Sequence, residues 1–170
     1  MDVAFYAAAA IAVLATALVI TRSQPVHALL YFVVSLFAVG VLFFLLGAPF
    51  AAVLEVIVYA GAIMVLFVFV VMLLNLAPAT AERERAWLAP GVWLGPSVLA
   101  AALLLELGYV LLRAPASAPG TEAVGPHRVA TTLLGPYLLA VELASMLLLA
   151  GLVGAYHLGR RELPGRESDR

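Results

Sequence analysis

The 170-residue chain has no cysteine and no lysine, and charged residues make up only 11% of it. Without a thiol it carries no disulfide, no cysteine-ligated iron–sulfur cluster and no thiolate zinc site of its own. Its nine basic residues are all arginines dispersed along the chain, and the net charge is -1, so there is no basic block to engage a nucleic-acid backbone. The scarcity of charge says more. Globular domains carry roughly a quarter charged residues, whereas here hydrophobic residues reach 65% and the mean hydropathy is +1.13. Such a chain is an integral membrane protein whose partners are lipid and other membrane helices. No phosphate loop, nucleophile elbow or nucleotide fingerprint is present in the sequence.

About 20 apolar residues are needed to cross a hydrocarbon core of ~30 Å as a helix. Five stretches qualify, at about residues 3–20, 26–46, 50–76, 92–112 and 133–158, and they predict an all-α fold of five transmembrane helices. Breakers fall between them at Ser23-Gln24-Pro25, Gly47-Ala48-Pro49, Ala89-Pro90-Gly91 and Gly135-Pro136. The first stretch follows Asp2 rather than a basic region and is read as a retained helix. Counting arginines gives an orientation. Arg22, Arg83, Arg85, Arg160, Arg161, Arg166 and Arg170 collect on one side and only Arg113 and Arg128 on the other, which puts the C-terminus in the cytoplasm and the N-terminus outside. The outer segment from Arg113 to Thr132 is rich in proline, glycine and alanine and is expected to be irregular. Residues 1–159 are expected to form one five-helix membrane domain and 160–170 a polar cytoplasmic tail. No fixed-period repeat is visible, and five spans do not divide into the equal halves of many secondary transporters.

A few residues break the membrane pattern. Tyr6, Tyr31, Trp87, Trp93, Tyr109, Tyr137 and Tyr156 lie near predicted span ends, as interfacial aromatics do. Tyr59 lies deeper, about nine residues into the third span, where its hydroxyl either bonds a neighbouring carbonyl or takes part in function. Glu55, Glu106 and Glu142 fall within spans that contain no lysine or arginine to pair with them. An acid at helix centre costs at least ~2.5 kcal/mol to insert, so these groups should face protein or water. An unpaired carboxyl there suits a group that takes and gives a proton, which favours Glu55 and Glu142 as proton-path residues. Glu106, two residues before Gly108, reads instead as a near-interface acid reached by water.

Glu55 and Tyr59 are i,i+4 neighbours on one helix face, close enough for the phenol to donate to the carboxylate or share a water with it. Gly61 follows within half a turn and either admits another helix closely or lowers the cost of distorting the backbone. The third span has 27 residues, or about 40 Å as an α-helix, which tilt or a wider π-turn would absorb. His27, His127 and His157 are too dispersed to propose a metal site, and each is read as interfacial. Ala150 with Gly154 and Ala140 with Ala144 give a small-residue packing seam on the fifth span.

The stretch "VYAGAIMVLFVFVVMLLN", Val58 to Asn75, resembles the J subunit family of bacterial proton-pumping NADH:quinone oxidoreductase, complex I, counterpart of mitochondrial NADH dehydrogenase subunit 6. The five-span layout, "RSQPVHALLYFV" opening the second span and "VELASMLLLAGLVGA" in the fifth also fit, so the resemblance covers nearly the whole chain apart from the outer loop and tail. It implies a membrane-arm core subunit of a translocase in the bacterial inner membrane, with no active site, redox centre, bound cofactor or metal of its own. NADH, flavin, iron–sulfur clusters and quinone would belong to the whole complex, and the packing partners would be its A, H and K type subunits. It also implies a π-bulge in the third helix at Tyr59, Ala60, Gly61 and Ala62, changing between α and π forms and gating a water path near Glu55. One residue inserted in or removed from a turn rotates everything beyond it by ~100°, so Met64, Val65, Phe67 and Phe69 would trade faces. Two other readings stand beside this one: a stand-alone small proton or ion carrier, and a purely structural membrane scaffold.

Overall fold

The computed structural model describes residues 2–74, 90–113 and 123–159. Among them only helices and their connecting turns occur: α1 Asp2–Thr21, α2 Pro25–Leu45, α3 Pro49–Leu54, a π-helical segment Glu55–Ile63, α4 Met64–Leu74, α5 Pro90–Arg113, α6 Pro126–Leu133 and α7 Leu138–Gly159. The third span is therefore α3, the π segment and α4 in continuous succession. Five helical stretches are long and apolar enough to cross a membrane. The arginine-bearing connection around Arg83 and Arg85, residues 114–122 and the expected tail at 160–170 lie outside the described residues.

Contacts divide the chain into two units, Met1–Gly125 and Pro126–Arg170. In the first, α1 and α2 form an antiparallel pair around Ala8, Ala12, Ala38 and Val41, joined by Leu103 of α5. Three of these five core residues are alanines. Small side chains let backbones approach, which in a membrane replaces the hydrophobic drive that lipid cannot supply. Two polar ties among the described residues cross the pair at one place: the Thr16 and Ser35 hydroxyls are 2.7 Å apart and the Ser35 hydroxyl lies 3.4 Å from the Ala12 carbonyl, to which Thr16 also donates at 2.8 Å.

The turn after α2 is specified locally. Gly47 has φ +79°, a conformation that side-chain-bearing residues rarely adopt. The Ala48 amide donates to the Phe43 carbonyl at 3.0 Å and the Gly47 amide to Phe44 at 3.1 Å, the paired bonds of a Schellman ending. Pro49 then starts α3 where a missing N–H costs nothing.

Tyr31 departs from the expectation of an interfacial aromatic: it is 5% exposed. The Arg22 guanidinium carbon lies 5.3 Å from its ring centroid, a cation–π contact at the α1–α2 connection. Its hydroxyl lies against Gly95 of α5, where a methyl group would overlap it.

In the second unit, residues 126–133 are helical, not irregular as expected for the outer segment. Pro126 occupies the first turn, and Thr131 and Thr132 return their hydroxyls to the His127 and Arg128 carbonyls. Polar composition suggested a loop, but these side chains satisfy the short helix from within. A turn over 134–137 at Gly135-Pro136 separates α6 from α7, so the fifth span begins at Leu138 and not Leu133.

Candidate functional site in the third span

The third span packs on α2 through positions four apart. Ala52 and Met64 are buried, and Val56 and Ala60 between them are partly covered. A methyl built on Gly40 of α2 would stand 3.5 Å from Val56 Cγ2 and 3.6 Å from the Ala52 carbonyl oxygen, so the two helices nearly touch here. Steps of four residues drift by roughly 40° each on an α-helix of 3.6 residues per turn, or about 120° from Ala52 to Met64. On a straight α-helix the two would lie at opposite edges of the face toward α2. The wider turns of the π segment take up that drift, and the segment lies between them.

Bonding at the end of the segment fits this geometry. The Met64 amide reaches the Tyr59 carbonyl five residues back and also the Gly61 carbonyl. Met64 is 1% exposed and is the one large side chain fully buried among the described residues, whereas Val65 is 65% exposed. A methyl at Gly61 would stand 3.3 Å from the Val56 carbonyl oxygen, closer than side-chain carbons ordinarily come to an oxygen. Glycine at 61 thus keeps that close contact out of the π segment.

Glu55 opens the π segment and is partly covered. Among the described residues no hydrogen bond joins it to the Tyr59 hydroxyl, contrary to the donation considered from their spacing, and Tyr59 does not bond a neighbouring carbonyl either. The Tyr59 ring is 49% exposed and turned away from the α2 contact. Ala60, Gly61 and Ala62 follow it within the same segment. The carboxylate, phenol and glycine are therefore gathered on one π-helical segment, with Glu55 partly covered and Tyr59 and Gly61 exposed. Such a patch can hold water or a proton between this chain and a neighbour.

Glu142 belongs to the second unit, on α7, where its side chain is exposed and its main-chain carbonyl accepts a 2.7 Å bond from the Ser145 hydroxyl. The small-residue seam at Ala140, Ala144, Ala150 and Gly154 is likewise exposed. Glu106 differs from its expected place. Both of its carboxyl oxygens are shut off from solvent, with no hydrogen-bond partner among the described residues. Leu103 and Val110 are buried on either side of it along α5, so the partly covered Glu106 lies on the packed stripe of that helix. That spacing of three and four residues was the available signal; in a helix apolar on all sides it does not identify the inward face. No group of three or more histidine, aspartate or glutamate side chains able to hold a metal occurs among the described residues.

Apolar helices carrying a partly covered acid on a π-helical turn define a polytopic membrane protein. Comparison with known proteins gives the family. Residues 15–158 match the profile of NADH-ubiquinone/plastoquinone oxidoreductase chain 6. The NADH-quinone oxidoreductase subunit J of Pseudomonas aeruginosa is 64% identical over 163 residues, covering 95% of this chain and 98% of the relative. The protein of the same name from Escherichia coli K12 is 56% identical over 165 residues, covering 97% and 90%. That of Buchnera aphidicola from Schizaphis graminum is 43% identical over 162 residues, covering 95% and 99%. The chain belongs to the NADH-ubiquinone/plastoquinone oxidoreductase chain 6 family.

Proposed function

We propose that the chain is a membrane-arm core subunit of a proton-translocating NADH:quinone oxidoreductase, without a redox centre of its own, in which the third span gates or lines a proton or water path. It is a multi-pass protein of the bacterial inner membrane, as its five apolar spans and bacterial relatives indicate. The N-terminus lies outside and the C-terminus in the cytoplasm, on the arginine count. NADH, flavin, iron–sulfur clusters and quinone belong to the surrounding complex, and the neighbours are its A, H and K type subunits.

The observation that carries this reading is the position of the π segment, with Glu55 at its start, Gly61 near its end and Met64 buried just beyond. Conversion to α would turn the chain beyond the segment by ~100°. Met64 would leave α2, Val65, Phe67 and Phe69 would change faces, and the path near Glu55 and Tyr59 would open or close. In this step Glu55 accepts and passes a proton, Tyr59 orders it, and bulky side chains admit or exclude water. Proton movement is thereby tied to a backbone rearrangement that events elsewhere in the complex can drive.

The test is Gly61→Val in the assembled complex. Its branched side chain meets the Val56 carbonyl in the π form, so the α form is favoured and coupled NADH:quinone turnover and pumping should fall. Wild-type rates in a fully assembled variant would overturn the gate. Co-purification in mild detergent tests membership separately, by recovering flavin and iron–sulfur subunits with this chain.

A further inference from the structure

Helix α5 meets its neighbours along Leu103, Glu106, Leu107 and Val110, whose spacing of three, four and seven residues is one face of an α-helix. Leu103 and Val110 are buried, and Leu107 packs on the core formed with Ala8 and Ala12 of α1 and Ala38 and Val41 of α2. Glu106 is the acid on that face. Its carboxyl is turned to the main chain of α1 at Ala8, itself completely buried, and neither oxygen is reached by solvent or meets a side-chain partner among the described residues.

The surroundings limit what can neutralise it. The titratable groups with described side chains on the packed elements are Tyr6, His27, Tyr31 and Tyr109. Tyr6 of α1 is 70% exposed, and the Tyr109 ring on α5 is 55% exposed. On α2, Tyr31 packs at Gly95, eleven positions or about 16 Å along α5 from Glu106, and His27 lies four residues nearer the start of α2 than Tyr31. Glu55 belongs to the third span, which packs on α2. A metal ion needs several donors, and no group of three side chains able to hold one occurs among the described residues. A bare carboxylate in hydrocarbon is unfavourable. A proton is the cation that needs no added space.

We propose that Glu106 is a proton-binding site of this chain, separate from the Glu55–Tyr59 patch, sealed against α1 with its proton aboard and able to exchange it only when α5 parts from α1. The ligand is the proton itself, taken on the carboxylate oxygen and released to water when the helices separate. The site does not depend on the gate in the third span, and a wild-type Gly61→Val variant would leave it standing. Its test uses the assembled oxidoreductase and so rests on membership in that complex, which co-purification checks independently.

The experiment is infrared spectroscopy of wild-type complex and Glu106→Gln. The wild type is expected to show the carbonyl stretch of a protonated carboxylic acid that the glutamine variant lacks. In D2O that band should shift only after turnover with NADH and quinone. Identical carboxylic-acid regions in the two proteins would mean the group is ionised and would overturn the proposal. A band that shifts at rest as fast as those of surface carboxyls would overturn the seal. If Glu106→Gln does not assemble, Glu106→Asp decides: a displaced band supports the site, and an unmoved spectrum overturns it.

Discussion

A methyl group at position 95 would overlap the Tyr31 hydroxyl, so glycine is what lets α5 come this close to α2. Overpacking of a tight contact costs typically 1–3 kcal/mol. Gly95→Ala is therefore expected to destabilise the helix pair by about that much, and Tyr31→Phe, by removing the overlapping atom, to recover part of it. A double-mutant cycle on thermal unfolding of the purified complex measures the coupling, and additive effects would count against the contact. Ser35→Ala should be milder. Thr16 keeps its bond to the Ala12 carbonyl when Ser35 is lost, and hydrogen bonds between membrane helices average only ~0.6 kcal/mol. Unfolding of Ser35→Ala should shift by about that amount and no more than ~1.7 kcal/mol. Neither contact was legible in the sequence. Tyr31 near a span end fits an aromatic belt as well as it fits a buried anchor, and only the partner helix distinguishes them.

At the scale of the element, the third span shows what hydropathy hides. From Val56 to Leu74 every residue except Tyr59 and Gly61 is an apolar side chain or alanine, so no alternation marks which positions face α2. The length of the span pointed to tilt or to a wider turn. Which of the two holds follows from Ala52 and Met64 being buried together across the π segment. Met64→Ala should be costly, in the range of 2–5 kcal/mol for truncating a buried methionine. Val65→Ala, next to it but largely exposed, should be close to neutral in stability. Chemical or thermal denaturation of the two variants in the assembled complex compares them, and equal effects would mean the register on α2 is not the one described. The outer segment gives the opposite lesson. Pro126 and the two threonines make a helix of a stretch whose polarity suggested none.

At the scale of the whole molecule, the described spans bury between 0% and 39% of their most apolar windows within the chain. In the third span only 6% of the most apolar window is buried within the chain. A membrane protein that leaves an acid only partly covered and a phenol exposed within a span needs a neighbour for them, in keeping with a subunit of a larger assembly. The orientation is testable at this scale. A fluorescent protein fused after Arg170 should fold and fluoresce in the cytoplasm, and an alkaline phosphatase fused there should be inactive. The reverse pattern would overturn the seven-to-two arginine asymmetry as the determinant of topology.

Composition and spacing were sufficient for the membrane class, five spans, their breakers and the polar residues within them. These follow from the cost of placing backbone and charge in hydrocarbon, which each segment meets by itself. The tertiary structure decided the rest: that Glu106 is sealed against α1, that Tyr31 is an anchor, and that Ala52 and Met64 both meet α2 through a π-helical turn. In a chain this uniformly apolar, lipid and protein are nearly equivalent surroundings for a side chain. The inward face is therefore set by fit against a neighbouring helix, and that fit exists only once the helices are assembled.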